Sequence, residues 1–123
     1  MKKILVAGVA VAAAAGSTVL VTAPAHADTE RTGTCAGATY ELNVDRERGG
    51  FEVDADLDNA KPGSSWRVAI QHDGKVVTSK VRTADREGEI DVDTWRRNTA
   101  GSDTFRLTVT PAGGSGCSVK VTV

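Results

Sequence analysis

Histidine, cysteine and aromatic residues are scarce in this sequence. Its 123 residues include 2 His, 2 Cys and 4% aromatic residues, and a chain of this length has room for one small domain. No glycine-rich phosphate-binding loop is present, and His72 has no serine or cysteine nucleophile or further metal ligands in a known spacing. The sequence therefore predicts a protein that is not an enzyme, with no catalytic residues, no cofactor and no metal site.

Long apolar runs are absent after residue 27, but one occurs before it. Two lysines at positions 2 and 3 precede an uncharged run over residues 4–21, and Ala25-His26-Ala27 ends the segment. A basic start, an apolar middle and a small-residue end are typical of a secretory signal peptide. Residues 1–27 are therefore predicted to be a signal peptide, and the mature protein to be secreted without membrane attachment. An uncleaved membrane anchor is the alternative.

An excess of positive charge is also missing from the remainder of the chain. After residue 27 there are 13 basic and 16 acidic residues, so the net charge of the predicted mature chain is about −3. General nucleic-acid binders carry a basic surface, and this balance therefore speaks against a nucleic-acid partner.

Both cysteines, Cys35 and Cys117, lie in the predicted mature part. In an exported protein such a pair most often forms a disulfide, and a metal site would need more ligands than His72 offers. We therefore expect a disulfide between Cys35 and Cys117. Closing so long a loop would stabilise the fold by about 4 kcal/mol in the chain-entropy model.

From residue 37 onward, apolar residues recur at every second position in short stretches that turn residues separate, which is the pattern of half-buried strands. Asp73-Gly74 is a two-residue hairpin signal between two of these stretches. Seven strands are predicted, with inward positions at Tyr40, Leu42 and Val44; Phe51, Val53, Ala55 and Leu57; Trp66, Val68 and Ile70; Val77 and Val81; Ile90 and Val92; Phe105, Leu107 and Val109; Cys117, Val119, Val121 and Val123.

Seven short strands with regular turns resemble an immunoglobulin-like or fibronectin type III-like β-sandwich in architecture. Trp66, at the head of the third predicted strand, resembles the core tryptophan of immunoglobulin domains, although the cysteines do not occupy the second and sixth strands. The resemblance implies an all-β, seven-stranded antiparallel sandwich over residues 37–123, preceded by an N-terminal segment at 28–36. In that topology Cys35 and Cys117 lie at the same end of the domain.

Strand alternation also assigns the outward charges. The first, second and fifth strands, which share a sheet in this topology, carry almost only acidic outward residues, whereas the third, sixth and seventh carry a few basic ones. Lys80 and Arg82 on the fourth strand are expected to pair with the acidic fifth strand. The acidic face is either a solubilising surface or a docking surface for a cationic partner. Asp54, Asp56 and Asp58 resemble the start of a calcium loop, but the alternation favours a strand.

A second set of candidate residues falls at the end of the domain opposite the cysteines. Cationic groups around one tryptophan could hold an anionic glycan or an acidic protein surface, with the ring as a platform and arginines as forked donors. The alternative is that Trp95 plugs the core while Asp45, Glu47 and Asp73 neutralise the cations. The predicted ligand-binding residues are Trp95, Arg96, Arg97, Arg46, Arg48, His72 and Lys75.

These features predict a small secreted, monomeric, non-enzymatic binding or adhesion-type domain. One alternative is an inhibitor of a hydrolase, because Trp95-Arg96-Arg97 resembles the exposed Trp-Arg-Tyr triplet of small bacterial α-amylase inhibitors, and an exposed arginine could enter a trypsin-like pocket. The other alternative is a structural protein that spaces the cell envelope.

Overall fold

The computed structural model of this protein describes residues 29–123. The predicted signal peptide, residues 1–27, lies outside the described residues. The described part is all-β and contains eight strands: β1 Glu30–Cys35, β2 Ala38–Glu47, β3 Gly50–Asp58, β4 Ser65–His72, β5 Lys75–Thr83, β6 Ile90–Arg97, β7 Thr104–Pro111 and β8 Cys117–Thr122.

The strands form two four-stranded antiparallel sheets. The first has the order β1-β2-β3-β6 and the second the order β5-β4-β7-β8. The predicted membership of the acidic sheet is confirmed, because β2, β3 and β6 are the first, second and fifth predicted strands. The expected pairing of Lys80 and Arg82 with the acidic strand is wrong. Both residues lie on β5, which pairs with β4 at the edge of the second sheet.

The prediction of seven strands is wrong by one, because β1 is an additional strand. It occupies most of the N-terminal segment predicted at 28–36 and pairs along its whole length with β2. Its sequence, ERTGTC, has no alternating apolar residues, and only Cys35 at its end is buried. Main-chain hydrogen bonds to β2 therefore hold this strand in place, and its side chains show no alternation from which the strand could be predicted.

Three of the hairpins among the described residues have two-residue turns, whereas the β7–β8 hairpin has a longer connection. Ala36-Gly37, Arg48-Gly49 and Asp73-Gly74 each have positive φ at both residues, with 51°, 49° and 51° at the non-glycine positions. Paired positive φ values are those of a type I′ turn, whose twist matches the twist of the flanking strands. The hairpin predicted at Asp73-Gly74 is confirmed. Such turns fix the register of their strands and so determine which residues face the interior.

The core lies between the two sheets and contains the inward residues of both. Trp66 is 3% exposed, and its Nε1 donates a hydrogen bond to Ser64 Oγ at 3.0 Å. Phe51 and Phe105, one from each sheet, meet edge to face with their ring centroids 5.3 Å apart. The alternation predicted from the sequence thus fills one continuous interior, except on β5, where Val81 is 52% exposed.

The predicted disulfide is confirmed. Cys35 and Cys117 are bonded, with their Cα atoms 5.9 Å apart. Cys35 ends β1 and Cys117 begins β8, which are edge strands of different sheets. The bond therefore joins the two sheets along one side of the molecule. Within residues 29–123 there is no helix of the length and hydropathy needed to cross a membrane.

Candidate ligand-binding end

Three connections meet at the end of the molecule opposite the disulfide: the β2–β3 turn, the β4–β5 turn and the β6–β7 loop. The amide of Asn98 donates to the carbonyl of Gly49 at 3.1 Å, and the amide of Asp73 donates to the carbonyl of Thr104 at 2.7 Å. We call this region the loop end. All seven predicted ligand-binding residues lie on it or on the strand positions that lead into it.

The strand register divides the predicted residues into two groups. Arg46 on β2 and Arg96 on β6 are the partners of Phe51 on its two sides. They therefore lie on the inner side of the sheet, at its open margin, and the guanidinium of Arg46 stands 5.2 Å from the centre of the Phe51 ring. A cation over an aromatic face is attracted by the ring quadrupole. These two arginines thus cover the aromatic end of the core.

Trp95 and Arg97 alternate to the outer face of the same sheet. Trp95 is 41% exposed and donates from Nε1 to the carbonyl of Glu47 at 3.2 Å. This tryptophan does not plug the core, which answers the alternative that the sequence left open. The exposed residues Arg48 and Lys75 border the loop end, in the β2–β3 turn and at the start of β5.

The cations of the loop end lack the ion pairs expected from their acidic neighbours. Over residues 29–123, the only nitrogen–oxygen contacts within salt-bridge distance involve His72. Asp45 and Glu47 therefore do not neutralise Arg46 or Arg48 by direct contact. The exposed guanidinium groups of Arg48 and Arg97 therefore keep their donors free for an external acceptor.

His72 differs from the other predicted residues because it is buried, with 6% of its surface exposed. Its ring stacks on Phe105 at a centroid distance of 4.4 Å, and its Nε2 lies 2.7 Å from Oδ1 of Asp103. Asp103, directly before β7, is 1% exposed. A buried carboxylate needs such a partner. Asp103 cannot be recognised as a partner of His72 from the sequence, because nothing in the spacing of the two residues indicates a contact.

Oδ1 of Asp103 accepts three hydrogen bonds. Besides His72, both the amide and the hydroxyl of Thr99 donate to it, the latter at 2.5 Å. Burial raises the pKa of this carboxyl, but the hydrogen bonds from Thr99 and His72 outweigh it, so that the pKa lies below its ordinary value. Asp73 joins the same group, since its Oδ2 lies 3.8 Å from His72 Nε2 and 3.4 Å from the Thr99 hydroxyl.

The outer face of the first sheet is acidic, as the sequence predicts. Asp54 faces Asp93 directly across the β3–β6 pair, and Asp56 faces Asp91. Asp54, Asp56 and Asp58 lie on strand β3, which confirms the strand that the alternation predicts for these residues. Like charges placed directly opposite destabilise a sheet, so this face lowers the stability of the fold while it is ionised.

Proton binding relieves part of that repulsion. Partial burial, a hydrogen bond with Asp91 and the negative charges around it raise the pKa of Asp56 to about 6. Burial and the carboxylates of Asp93 and Asp91 also raise the pKa of Asp54. Near neutral pH, the Asp56–Asp91 pair can therefore share a proton.

Comparison with protein-family models, with curated proteins and with solved structures finds no match for this chain.

Proposed function

We propose that this chain is an exported, non-enzymatic binding domain with an immunoglobulin-like or fibronectin type III-like sandwich, and that its loop end binds an anionic glycan. Export is supported by the signal-peptide pattern of residues 1–27 together with the Cys35–Cys117 disulfide, a bond typical of oxidising compartments.

The architectural part of the proposal is supported by strand order. Counted from β2, the first, second and fifth strands form one sheet, and the third, fourth, sixth and seventh form the other. Immunoglobulin-like sandwiches divide their strands in this way, with a buried tryptophan on the third, and Trp66 occupies that position. β1 is an addition, and the disulfide joins edge strands instead of crossing the core.

The observation that carries the binding proposal is an exposed tryptophan beside unpaired arginines. Trp95 offers a ring face on which a sugar can stack, and Arg97 and Arg48 stand exposed near it without ion pairs among the described residues. Arginine forms forked hydrogen bonds with carboxylate or sulfate groups. Loops at the end of a rigid sandwich are also where such domains present their contacts.

The inhibitor alternative receives less support from the same geometry. Trp95, Arg96 and Arg97 end strand β6, where Arg96 points to the opposite side of the sheet from its two neighbours. The three side chains therefore do not form one continuous contact surface. Assays of α-amylase and trypsin with the purified protein test this alternative directly.

Chromatography on immobilised heparin, a sulfated glycan, and on polygalacturonate, a carboxylated one, tests the proposal. The disulfide-bonded protein should be retained and should elute with salt, because screening weakens exposed charge contacts. The double variant Arg48→Gln, Arg97→Gln should lose retention. The matched control Arg67→Gln, Arg106→Gln removes the same charge from the outer face of the second sheet and should be retained.

Equal losses of retention in both double variants would contradict a binding site at the loop end. Retention of the parent protein on neither glycan would contradict the proposal that its ligand is an anionic glycan. An acidic protein surface is the alternative partner for the same cations. Retention on poly-L-glutamate without retention on the two glycans would favour that partner.

A further inference from the structure

The contacts around His72 converge on one point between the β4–β5 turn and the β6–β7 loop. One potential ligand atom from each of His72, Asp73 and Asp103 lies within 4.8 Å of those of the other two residues. The hydroxyl oxygen of Thr99 lies against both carboxylates. One imidazole, two carboxylates and one hydroxyl group therefore lie together in a single cluster.

The spacing of these atoms suits a transition metal. His72 Nε2 is 2.7 Å from Asp103 Oδ1 and 3.8 Å from Asp73 Oδ2. Ligand atoms that bind tetrahedral zinc at 2.0–2.1 Å are separated by about 3.3 Å. The observed distances lie on both sides of that value, so such a shell requires the buried His72–Asp103 pair to separate and exposed Asp73 to approach, each by less than about 1 Å.

Hydrogen bonds within the protein leave part of this cluster unsatisfied. Asp103 is 1% exposed, yet every side-chain hydrogen bond it accepts from the described residues ends on Oδ1, and none of them reaches Oδ2. A buried carboxylate oxygen without a donor is costly. A cation beside this carboxylate would offset that cost, which points to a ligand beyond the residues present.

We propose that His72, Asp73 and Asp103, with Thr99 at their margin, form a binding site for one divalent transition-metal ion of the zinc type. Imidazole together with carboxylate suits Zn²⁺ and its neighbours, whereas Ca²⁺ and Mg²⁺ prefer oxygen ligands alone. This site uses residues other than Trp95, Arg48 and Arg97, so the inference stands or falls independently of glycan binding.

Arg96 gives the proposed site a distinctive property. Its Nε donates to Nδ1 of His72 at 3.5 Å. When a metal binds Nε2 of the neutral imidazole, the ring proton is on Nδ1. The N–H of Nδ1 would then face the N–H of Arg96, so that two donors oppose each other. The positive charge of Arg96 also repels a cation. Arg96 therefore opposes metal binding, and its removal should strengthen it.

Titration calorimetry with ZnCl₂ at pH 7, together with the NMR signals of the His72 ring, tests the proposal on the metal-free, disulfide-bonded protein. We expect one Zn²⁺ per chain, a shift of the Nε2 resonance of His72, and no comparable binding of CaCl₂. Absence of zinc binding, or binding that leaves the His72 ring unchanged, would overturn the proposal.

Four conservative variants locate the ion. In Asp73→Asn, the side-chain oxygen can still accept the hydrogen bond from the Thr104 amide, and asparagine tolerates the positive φ of position 73. This variant should weaken zinc binding at least tenfold. Arg96→Gln should tighten binding several-fold, whereas Arg97→Gln, with the same charge change on the opposite face, should alter it much less. Zinc binding that survives Asp73→Asn but is lost in Asp93→Asn would assign the ion to the acidic face and contradict the site.

Discussion

The indole of Trp95 lies directly over Gly50 on the neighbouring strand, so closely that a Cβ at position 50 would collide with the ring. Gly50 is buried beneath it, and the carbonyl of Glu47 holds Nε1 of the indole from the adjoining strand end. The ring is therefore fixed in orientation although its outer side is exposed. A platform that is already ordered loses little entropy when a ligand stacks on it.

This placement predicts that the two tryptophans differ strongly in their contribution to stability. Trp95→Ala should lower the free energy of unfolding by no more than about 1.5 kcal/mol, because it removes one hydrogen bond and a half-exposed contact. Trp66→Ala removes a ring that is 3% exposed, and should cost about 3–5 kcal/mol. Urea unfolding of both variants measures the difference. Equal losses would mean that Trp95 is a core residue.

Arg48 occupies a strained position at the proposed contact surface. Its φ of 49° puts a long side chain in the left-handed region at the first position of a type I′ turn, where Asn or Gly is preferred. Arg48→Asn should therefore raise the free energy of unfolding by about 1 kcal/mol while reducing retention on heparin. Thermal unfolding and salt elution of the same variant measure the two effects.

Ala36 provides the matched control for that variant. It has a φ of 51° in the equivalent turn between β1 and β2, at the disulfide end. Ala36→Asn should give a similar gain in stability with retention unchanged. If Arg48→Asn gains stability and keeps full retention, Arg48 plays no part in binding.

The inward alternation of apolar residues allowed most of the fold to be predicted. Seven strands followed from that alternation and from turn residues such as Asp73-Gly74. The shared sheet of β2, β3 and β6 followed from the resemblance to an immunoglobulin-like sandwich, and the disulfide from the presence of two cysteines in a chain predicted to be exported. β1 could not be recognised, because main-chain pairing holds it. The neighbours of β5 could not be recognised either, because most of its side chains are exposed and carry no reliable inward pattern.

Only the location of the candidate site at one end of the domain could be predicted, because it follows from the alternating directions of the strands. Alternating strands bring the three connections of the loop end together, so Trp95, Arg48 and His72 could be assigned to one end. Their burial could not be derived in the same way. His72 turns inward because Asp103, 31 residues further along the chain, supplies a buried acceptor, and loop conformation rather than strand periodicity brings the two together.

The acidic face predicts an unusual dependence of stability on pH. The pKa of Asp56 is about 6 in the folded protein and about 3.9 in an unfolded chain, so the folded state binds this proton more tightly. The stabilisation that protonation confers is complete below the unfolded pKa and is lost as pH rises through about 6. The thermal midpoint should therefore be higher at pH 5 than at pH 7.5.

Asp56→Asn isolates this effect, because an amide opposite Asp91 can donate a hydrogen bond and carries no charge. The variant should be more stable than the parent by up to about 1 kcal/mol at pH 7.5, with a smaller gain at pH 5. Glu87→Gln, an equal charge change in the exposed loop before β6, serves as the control and should leave the slope between the two pH values unchanged. If the parent and Asp56→Asn keep parallel midpoints across this range, the Asp56–Asp91 pair does not hold a proton near neutrality.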